Sequence, residues 1–400
     1  MFFLLIVTKI LFIALIIKTL TKQRMKNLLL FLLIPFISQA QIVNGIVKDK
    51  NLKEGISFLT VAIENSDVYA LTNENGEFQF NLSDINGKNI IIDNIYFEPF
   101  SKKINDGNYI NIELTELSYT LEEMVLYNQP IKKVFEEIIS NSEKTLKTNV
   151  KINAFYREDY FKNGKKYFFS DGIIDFYIKN KTSKIDAVIL ESRVIDSNSD
   201  QQLDEIDLEY IAGLSPDEMI EMGMKFNFIK KIIKDKNYDF HVTSKKSGDN
   251  ELHTLYFEPI PTSTERFLFK GKVVFDDSAK LIYEMDVQFD DNFKQFNKEI
   301  NILILKIKMN DINYKVKFNY NNNKYYLTYL NQYFDCDVIT KKGKNSEKVI
   351  GKTELIALGI ENTSTFPNKD SIFKKKKLYE NGNKFSYEFW NDDLIKNYIK

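Results

Sequence analysis

Residues able to do chemistry are few in this chain and widely spaced. It contains two histidines, His241 and His253, and one cysteine, Cys336. A zinc peptidase needs a closely spaced pair such as H-x-x-E with a further, distant histidine, and neither histidine has an acidic residue at that spacing. No G-x-S-x-G, P-loop or G-x-G-x-x-G stretch occurs where it could work. Asp196, Asn198, Asp200 and Asp207 fall at the first, third, fifth and twelfth positions of a calcium loop. Gln201 occupies the place of the required glycine, however, so a solvated acidic loop is the simpler reading. Asp276-Asp277 and Asp290-Asp291 follow strand-like stretches and read as turn residues. Arg157 and Glu158 are adjacent candidates, either a functional pair or a cross-strand or local ion pair. Lys374, Lys375, Lys376 and Lys377 form a basic run, read first as a solvated face and otherwise as a contact for anionic headgroups. Cys336, in YFDCDVI, reads as a small buried hydrophobe, and a single cysteine forms no intrachain disulfide. These residues supply no catalytic set, no metal-ligand set and no cofactor motif. A protein that binds without turnover is expected.

The elements that must position these residues start with an address. Lys26, the apolar residues 28–37 and Ser38-Gln39-Ala40 have the charged start, short apolar core and small terminal residues of a secretory signal. Met25 is a candidate start, with cleavage between Ala40 and Gln41. The preceding run, residues 1–20, contains Lys9 and Lys18; it is either an upstream misassignment of the start or a membrane anchor. No cysteine follows the cleavage point, which argues against a lipid-anchored protein. Export to the periplasm, the outer membrane or the cell surface is expected, with membrane contact at most peripheral.

A formal net charge of −1 over 400 residues leaves no global basic field for nucleic acid. Hydrophobic and charged contents of 44% and 28% are those of a folded chain. The 22 Tyr and 32 Phe lie mostly in alternating stretches, which favours strands. Residues 70–82 (ALTNENGEFQFNL) show the pattern best. Asn75-Gly76 suits a type I′ hairpin turn, and Phe78, Phe80 and Leu82 alternate with polar residues. Residues 43–49, 56–63, 89–95 and 109–114 read as further strands, broken by Pro99 and by Asn105-Asp106-Gly107. Gly45 and Gly76 serve backbone geometry, Asp49 caps a turn, and Phe78 and Phe80 are core. Short strands at close spacing predict an antiparallel sandwich.

This first region resembles the carboxypeptidase-regulatory-like domain. The matching residues are Val43, Gly45, Val47 and Asp49; Thr72, Gly76, Phe78 and Phe80; Ile95, Phe97 and Glu98; then Leu121, Glu123, Met124, Val125 and Leu126. Asn73 stands where that family has Asp, and Tyr96 where it has Gly. The resemblance implies a transthyretin-like sandwich, common on exported proteins of Bacteroidota, and kinship of fold without peptidase activity.

After Gln129-Pro130, residues 131–145 place Ile131, Val134, Phe135, Ile138 and Ile139 at helical spacing. A second β-rich region follows, with strands read at 151–160, 166–179, 185–194, 253–257, 267–275, 281–289, 300–309, 314–320 and 325–338. A polar, helical insertion near 196–236 interrupts it, with Pro216 at a first helical turn. Phe155-Tyr156-Arg157-Glu158, residues 170–177 and the ending Phe389-Trp390-Asn391-Asp392-Asp393-Leu394-Ile395 resemble two-domain Bacteroidota proteins that carry the regulatory-like domain. Those imply a curved antiparallel sheet comparable to the half-barrel of periplasmic lipoprotein carriers. An outer-membrane barrel is disfavoured by Lys and Asn at outward positions. The expected organisation is an export segment at 1–40, a sandwich at 41–127, a linker helix at 128–150 and a larger β domain at 151–400 with a few helices. The expected role is a non-enzymatic envelope protein whose sandwich is an interaction module and whose larger domain binds a partner protein or glycan. The alternative is a carrier of a lipid or other apolar ligand. No metal and no cofactor are expected.

Overall fold

Alternating apolar and polar residues become strands along most of the chain in the computed structural model. It describes residues 41–66, 68–82, 87–104, 109–196, 214–248, 250–302, 305–321, 324–340 and 346–385. The expected signal up to Ala40, the Asn105-Asp106-Gly107 turn, Asn198, Asp200, Gln201 and Asp207 of the calcium-like loop, and residues 389–395 with Trp390 lie outside the described residues. Gln41 opens the first strand, and Asp196 ends the eleventh.

Seven strands come first: β1 (Gln41–Asp49), β2 (Thr60–Ile63), β3 (Tyr69–Leu71), β4 (Glu77–Leu82), β5 (Asn89–Asn94), β6 (Phe97–Lys103) and β7 (Tyr109–Leu114). They form two small sheets, ordered β4-β1-β7 and β3-β2-β5-β6. Pairing is antiparallel throughout the second sheet, whereas β1 and β7 run parallel. β7 buries Ile110, Ile112 and Leu114 and exposes the residues between them, as a strand with one solvated face must. Phe78 and Phe80 are core, as read from sequence.

The expected hairpin at Asn75-Gly76 is not formed. β3 and β4 flank the turn but join different sheets. Gly76 has φ 81°, while Asn75 is absent from the left-handed residues, so the turn lacks the paired positive φ of type I′. Asn73 organises the crossing instead: its side-chain oxygen accepts the N–H groups of Asn75 and Glu77, each at 2.9 Å. The second strand is also shorter than expected, because Phe58 at φ 54° breaks residues 56–63 before Thr60. Pro99 sits inside β6 rather than ending it; β6 is an edge strand, where a missing N–H is tolerated.

The rest of the chain supplies β8 (Glu123–Met124), α1 (Ile131–Thr145), β9 (Val150–Lys162), β10 (Lys165–Ile178), β11 (Asp186–Asp196), α2 (Pro216–Met224), α3 (Asn227–Lys234), β12 (Tyr238–Ser247), β13 (Asn250–Pro259), β14 (Phe269–Asp276), β15 (Leu281–Phe289), β16 (Ile300–Ile302), β17 (Leu305–Asn321), β18 (Lys324–Thr340) and β19 (Ser346–Asn362). Among the described residues twelve of the strands form one antiparallel, curved sheet in the order β11-β10-β9-β19-β18-β17-β15-β14-β13-β12-β8, with β16 paired to β17. Bulges interrupt the ladder at Tyr167 of β10, Leu190 of β11, Tyr283 of β15, Asn310 of β17, Thr328 of β18 and Leu358 of β19, and a bulge bends the strand that carries it. The type I′ signal is fulfilled between β9 and β10, where Asn163 and Gly164 have φ of 50° and 79°. The separate strands expected at 300–309 and 314–320 are instead β16 and one long β17, and β6, β12 and β19 fall outside the expected strands.

Adjacent residues of a strand face opposite ways, and β18 shows what covers each face. Leu330 lies beside α2, while the Tyr329 ring meets Phe58 of the small sandwich at 4.4 Å. On the helix side α1 buries Val134, Phe135, Ile138 and Ile139, the stripe its spacing predicted. Phe135 meets Phe275 edge-on at 5.3 Å. α2 starts at Pro216 behind Ser215, whose N–H donates to Glu218 at 3.0 Å. A smaller cluster of Tyr160, Phe168, Phe334, Cys336, Val338 and Val349 lies apart from the main core, and Cys336 is buried there as expected.

Candidate functional site

On the helix side of the curved sheet, aromatic side chains fill most of the space. Phe226 stacks on Phe318 at 5.1 Å, and Phe318 on Tyr325 at 5.3 Å. Phe226 joins α2 to α3 with φ 51°, a left-handed conformation that a bulky residue holds only when its surroundings demand it. The next residues of α3 carry the filling outward: Phe228 stacks on Tyr314 at 5.9 Å and meets Phe269 edge-on at 4.7 Å.

Beyond Phe228 the packing opens into a groove of about 740 Å³, within the range of small-molecule sites. α2 contributes Met222, α3 contributes Phe228 and Ile232, and the approach to β14 contributes Phe267, Leu268 and Phe269. Ile232 and Leu268 are buried; Met222, Phe228, Phe267 and Phe269 are half-buried and form the walls. Phe267 is also left-handed, at φ 59°, its N–H donating to Asn297 at 2.7 Å. Tyr238 closes the floor: its hydroxyl accepts the Phe269 N–H at 3.0 Å, and burial pushes it up to about 12, so it stays neutral.

Charged side chains of both signs also line the groove: Glu218, Glu221, Asp235 and Glu265 against Lys225, Lys231 and Arg266. Lys225 pairs with Glu221, and Glu218 takes Lys376 at 3.1 Å. Lys231 and Arg266 are exposed and have no ion-pair partner among the described residues. The arrangement can hold an apolar chain against Met222, Phe228 and Phe269 while a charged or polar head stays at the mouth.

The residues singled out from sequence lie elsewhere. Arg157 and Glu158 are neighbours on β9 and so point to opposite faces; they do not pair with each other. Arg157 bridges to Glu354 at 3.5 Å. Glu158 is fully buried and accepts from Ser170 and from the Leu378 N–H, both at 3.0 Å, and from Tyr156 at 3.2 Å. Burial pushes its carboxyl up, with Lys377 as the main opposing influence. The basic run is not a uniform solvated face. Lys377 is 3% exposed and donates to Tyr160 at 2.6 Å, Lys376 holds Glu218, and Lys375 donates to the Glu380 carbonyl. Asp276 and Asp290 are turn residues as read, accepting from Ser278 at 2.7 Å and from Asn292 at 2.9 Å. Among the described residues no three His, Cys, Asp or Glu side chains gather to hold a metal, and no helix is long and apolar enough to cross a membrane. The groove was missed because its walls are single aromatics on separate elements. The amphipathic pattern of residues 227–234 was the one available signal.

No family model and no curated protein matches the sequence. Among solved structures, a lipovitellin described for its lipid–protein interactions aligns over 60% of this chain and 28% of its own, at 9% identity and a TM-score of 0.23. A DUF1329 family protein from Desulfovibrio piger aligns over 62% of this chain and 100% of its own, at 8% identity and a TM-score of 0.25. A LolA superfamily protein from Nitrosomonas europaea aligns over 59% and 97%, at 9% identity and a TM-score of 0.23. TM-scores this low define no shared fold.

Proposed function

We propose that this protein is an exported carrier of an amphiphile, which seats its apolar part in the groove beneath α2 and α3. The observation that carries the reading is the groove itself: apolar walls from Met222, Phe228, Ile232 and Leu268, charged side chains of both signs beside them, and a neutral tyrosine at its floor. Binding without turnover is the proposed role, with the small sandwich as an interaction module resembling the carboxypeptidase-regulatory-like domain and the cell envelope as the compartment.

Native mass spectrometry of the full chain, purified gently from an envelope, should show an extra mass that organic solvent removes. The stripped protein should then bind cis-parinaric acid. Met222→Arg puts a charge on the apolar wall and should weaken that binding about tenfold or more without lowering the melting temperature appreciably. A bare mass together with no uptake of the probe would sink the proposal.

A further inference from the structure

β8 covers the open side of β12 and thereby becomes an edge of the large sheet itself. Met124 stands opposite Thr243 and Glu123 opposite Ser244. On either side of this pair, the Val125 N–H donates to the Val242 carbonyl and the Thr120 N–H to the Lys246 carbonyl, each at 2.8 Å. Bonded and non-bonded positions alternate along an antiparallel pair. With Val125 bonded to β12, the peptide groups of Met124 point away from it, and no strand among the described residues lies beyond.

The side chains of this stretch are unusual for an edge. Leu121 and Leu126 are each 90% exposed and Met124 is 63% exposed, whereas Val125 between them packs against the core. Apolar residues scattered singly over a surface need no account. Three within six residues, beside outward-facing peptide groups, form an adhesive strip. Natural edges are commonly blunted by lysine or proline, and residues 120–126 contain neither.

Charge narrows what the edge can take. Glu122 accepts from the Thr243 hydroxyl at 3.2 Å, and neither it nor Glu123 has an ion-pair partner among the described residues. The lysines beside them on β12 are engaged, Lys245 over the Tyr119 ring at 4.6 Å and Lys246 with Glu251 at 3.5 Å. The strip is therefore apolar and anionic. A second copy of the chain would add its own Glu122 and Glu123 to carboxylates that are already uncompensated, whereas a basic partner would neutralise them.

We propose that β8 is a docking edge for an extended segment of another protein, one that combines apolar with basic residues and adds to the sheet as its next strand. Main-chain bonds to Met124 set the register. Apolar side chains of the segment meet Leu121, Met124 and Leu126, and its ammonium or guanidinium groups meet Glu122 and Glu123.

Fluorescence anisotropy of a labelled peptide of four Lys-Val repeats, titrated with the full chain, tests this, with a peptide of four Glu-Val repeats as control. The Lys-Val peptide should bind saturably at submillimolar concentration. Met124→Pro removes an N–H that points away from β12 and costs no bond to it, so the melting temperature should hold while peptide affinity falls about tenfold. Leu121→Asn combined with Leu126→Asn should weaken binding as well, and serves if the proline disturbs β8. Both variants should match the parent in uptake of cis-parinaric acid, which separates this edge from the groove. The proposal is overturned if the Lys-Val peptide does not bind, if the Glu-Val peptide binds equally, or if both variants bind peptide like the parent. It is also overturned if sedimentation finds the full chain dimeric and Met124→Pro monomeric, which would make a second copy the occupant.

Discussion

Lys377 shows how a single residue can reverse its expected setting. Within a run of four lysines it looked solvated, yet it is buried against Tyr160 and faces Glu158. Burial pulls its ammonium down from 10.5 to about 8. Between those values the unfolded chain still holds a proton that the folded chain has released, so this group makes stability rise with pH across that window. Below about 8 its cost is constant. Denaturation of the parent should therefore gain about 1–3 kcal/mol relative to Lys377→Met as pH rises through the window, the order expected for a shift of this kind. Parallel curves for the two proteins would refute the burial of the charge. Nothing local in the sequence separates Lys377 from Lys374: the difference is a contact with β9, more than two hundred residues away.

At the scale of elements, two of the chain's Asn-Gly dipeptides sit in different settings. Asn163-Gly164 closes the β9–β10 hairpin in open space, whereas Gly76 lies where an added Cβ would stand 2.4 Å from the Val47 carbonyl. The two glycines have nearly the same φ, 79° and 81°. Gly164→Ala should cost about 1 kcal/mol, the left-handed penalty alone. Gly76→Ala should cost at least about 2 kcal/mol more, since backbone must move to make room. Urea midpoints of the two variants measure the difference; equal losses would remove the close approach from the account. Asn-Gly favours a turn in both places, but which sheets the flanking strands join depends on distant partners. The same limit hid β19. Its residues alternate weakly around Gly351 and Gly359, and its place between β9 and β18 comes from those neighbours. The stripe of α1, by contrast, was legible because helical spacing is written within fifteen residues.

Across the whole molecule, the large sheet has two outer edges, and segments from outside its main run cover both. β8 pairs with β12 on one side. On the other, Ser192 of β11 exchanges two 2.8 Å backbone bonds with Lys384, and the Phe373 N–H reaches the Ala187 carbonyl at 2.8 Å. Open edges invite pairing with other chains. A chain ending at Asn362 would bare β11 and uncover Glu158, and light scattering should find it in larger species than the full chain forms. An unchanged mass distribution would show that the closing segment is dispensable. The mainly β class and the curved sheet could be foreseen from alternation and family resemblance. The groove could not, since it is assembled from elements whose mutual placement is set only when the chain folds.

The lone thiol in the satellite cluster gives the molecule a clock. Cys336 is 1% exposed, and burial pushes its thiol up to about 12, so an alkylating reagent reacts with it only while that corner of the sheet stands open. The rate of reaction under native conditions thus counts openings of β17, β18 and β19 about Tyr160 and Phe334. Set beside the free energy of complete unfolding, it tells whether the corner opens alone or only with the whole sheet.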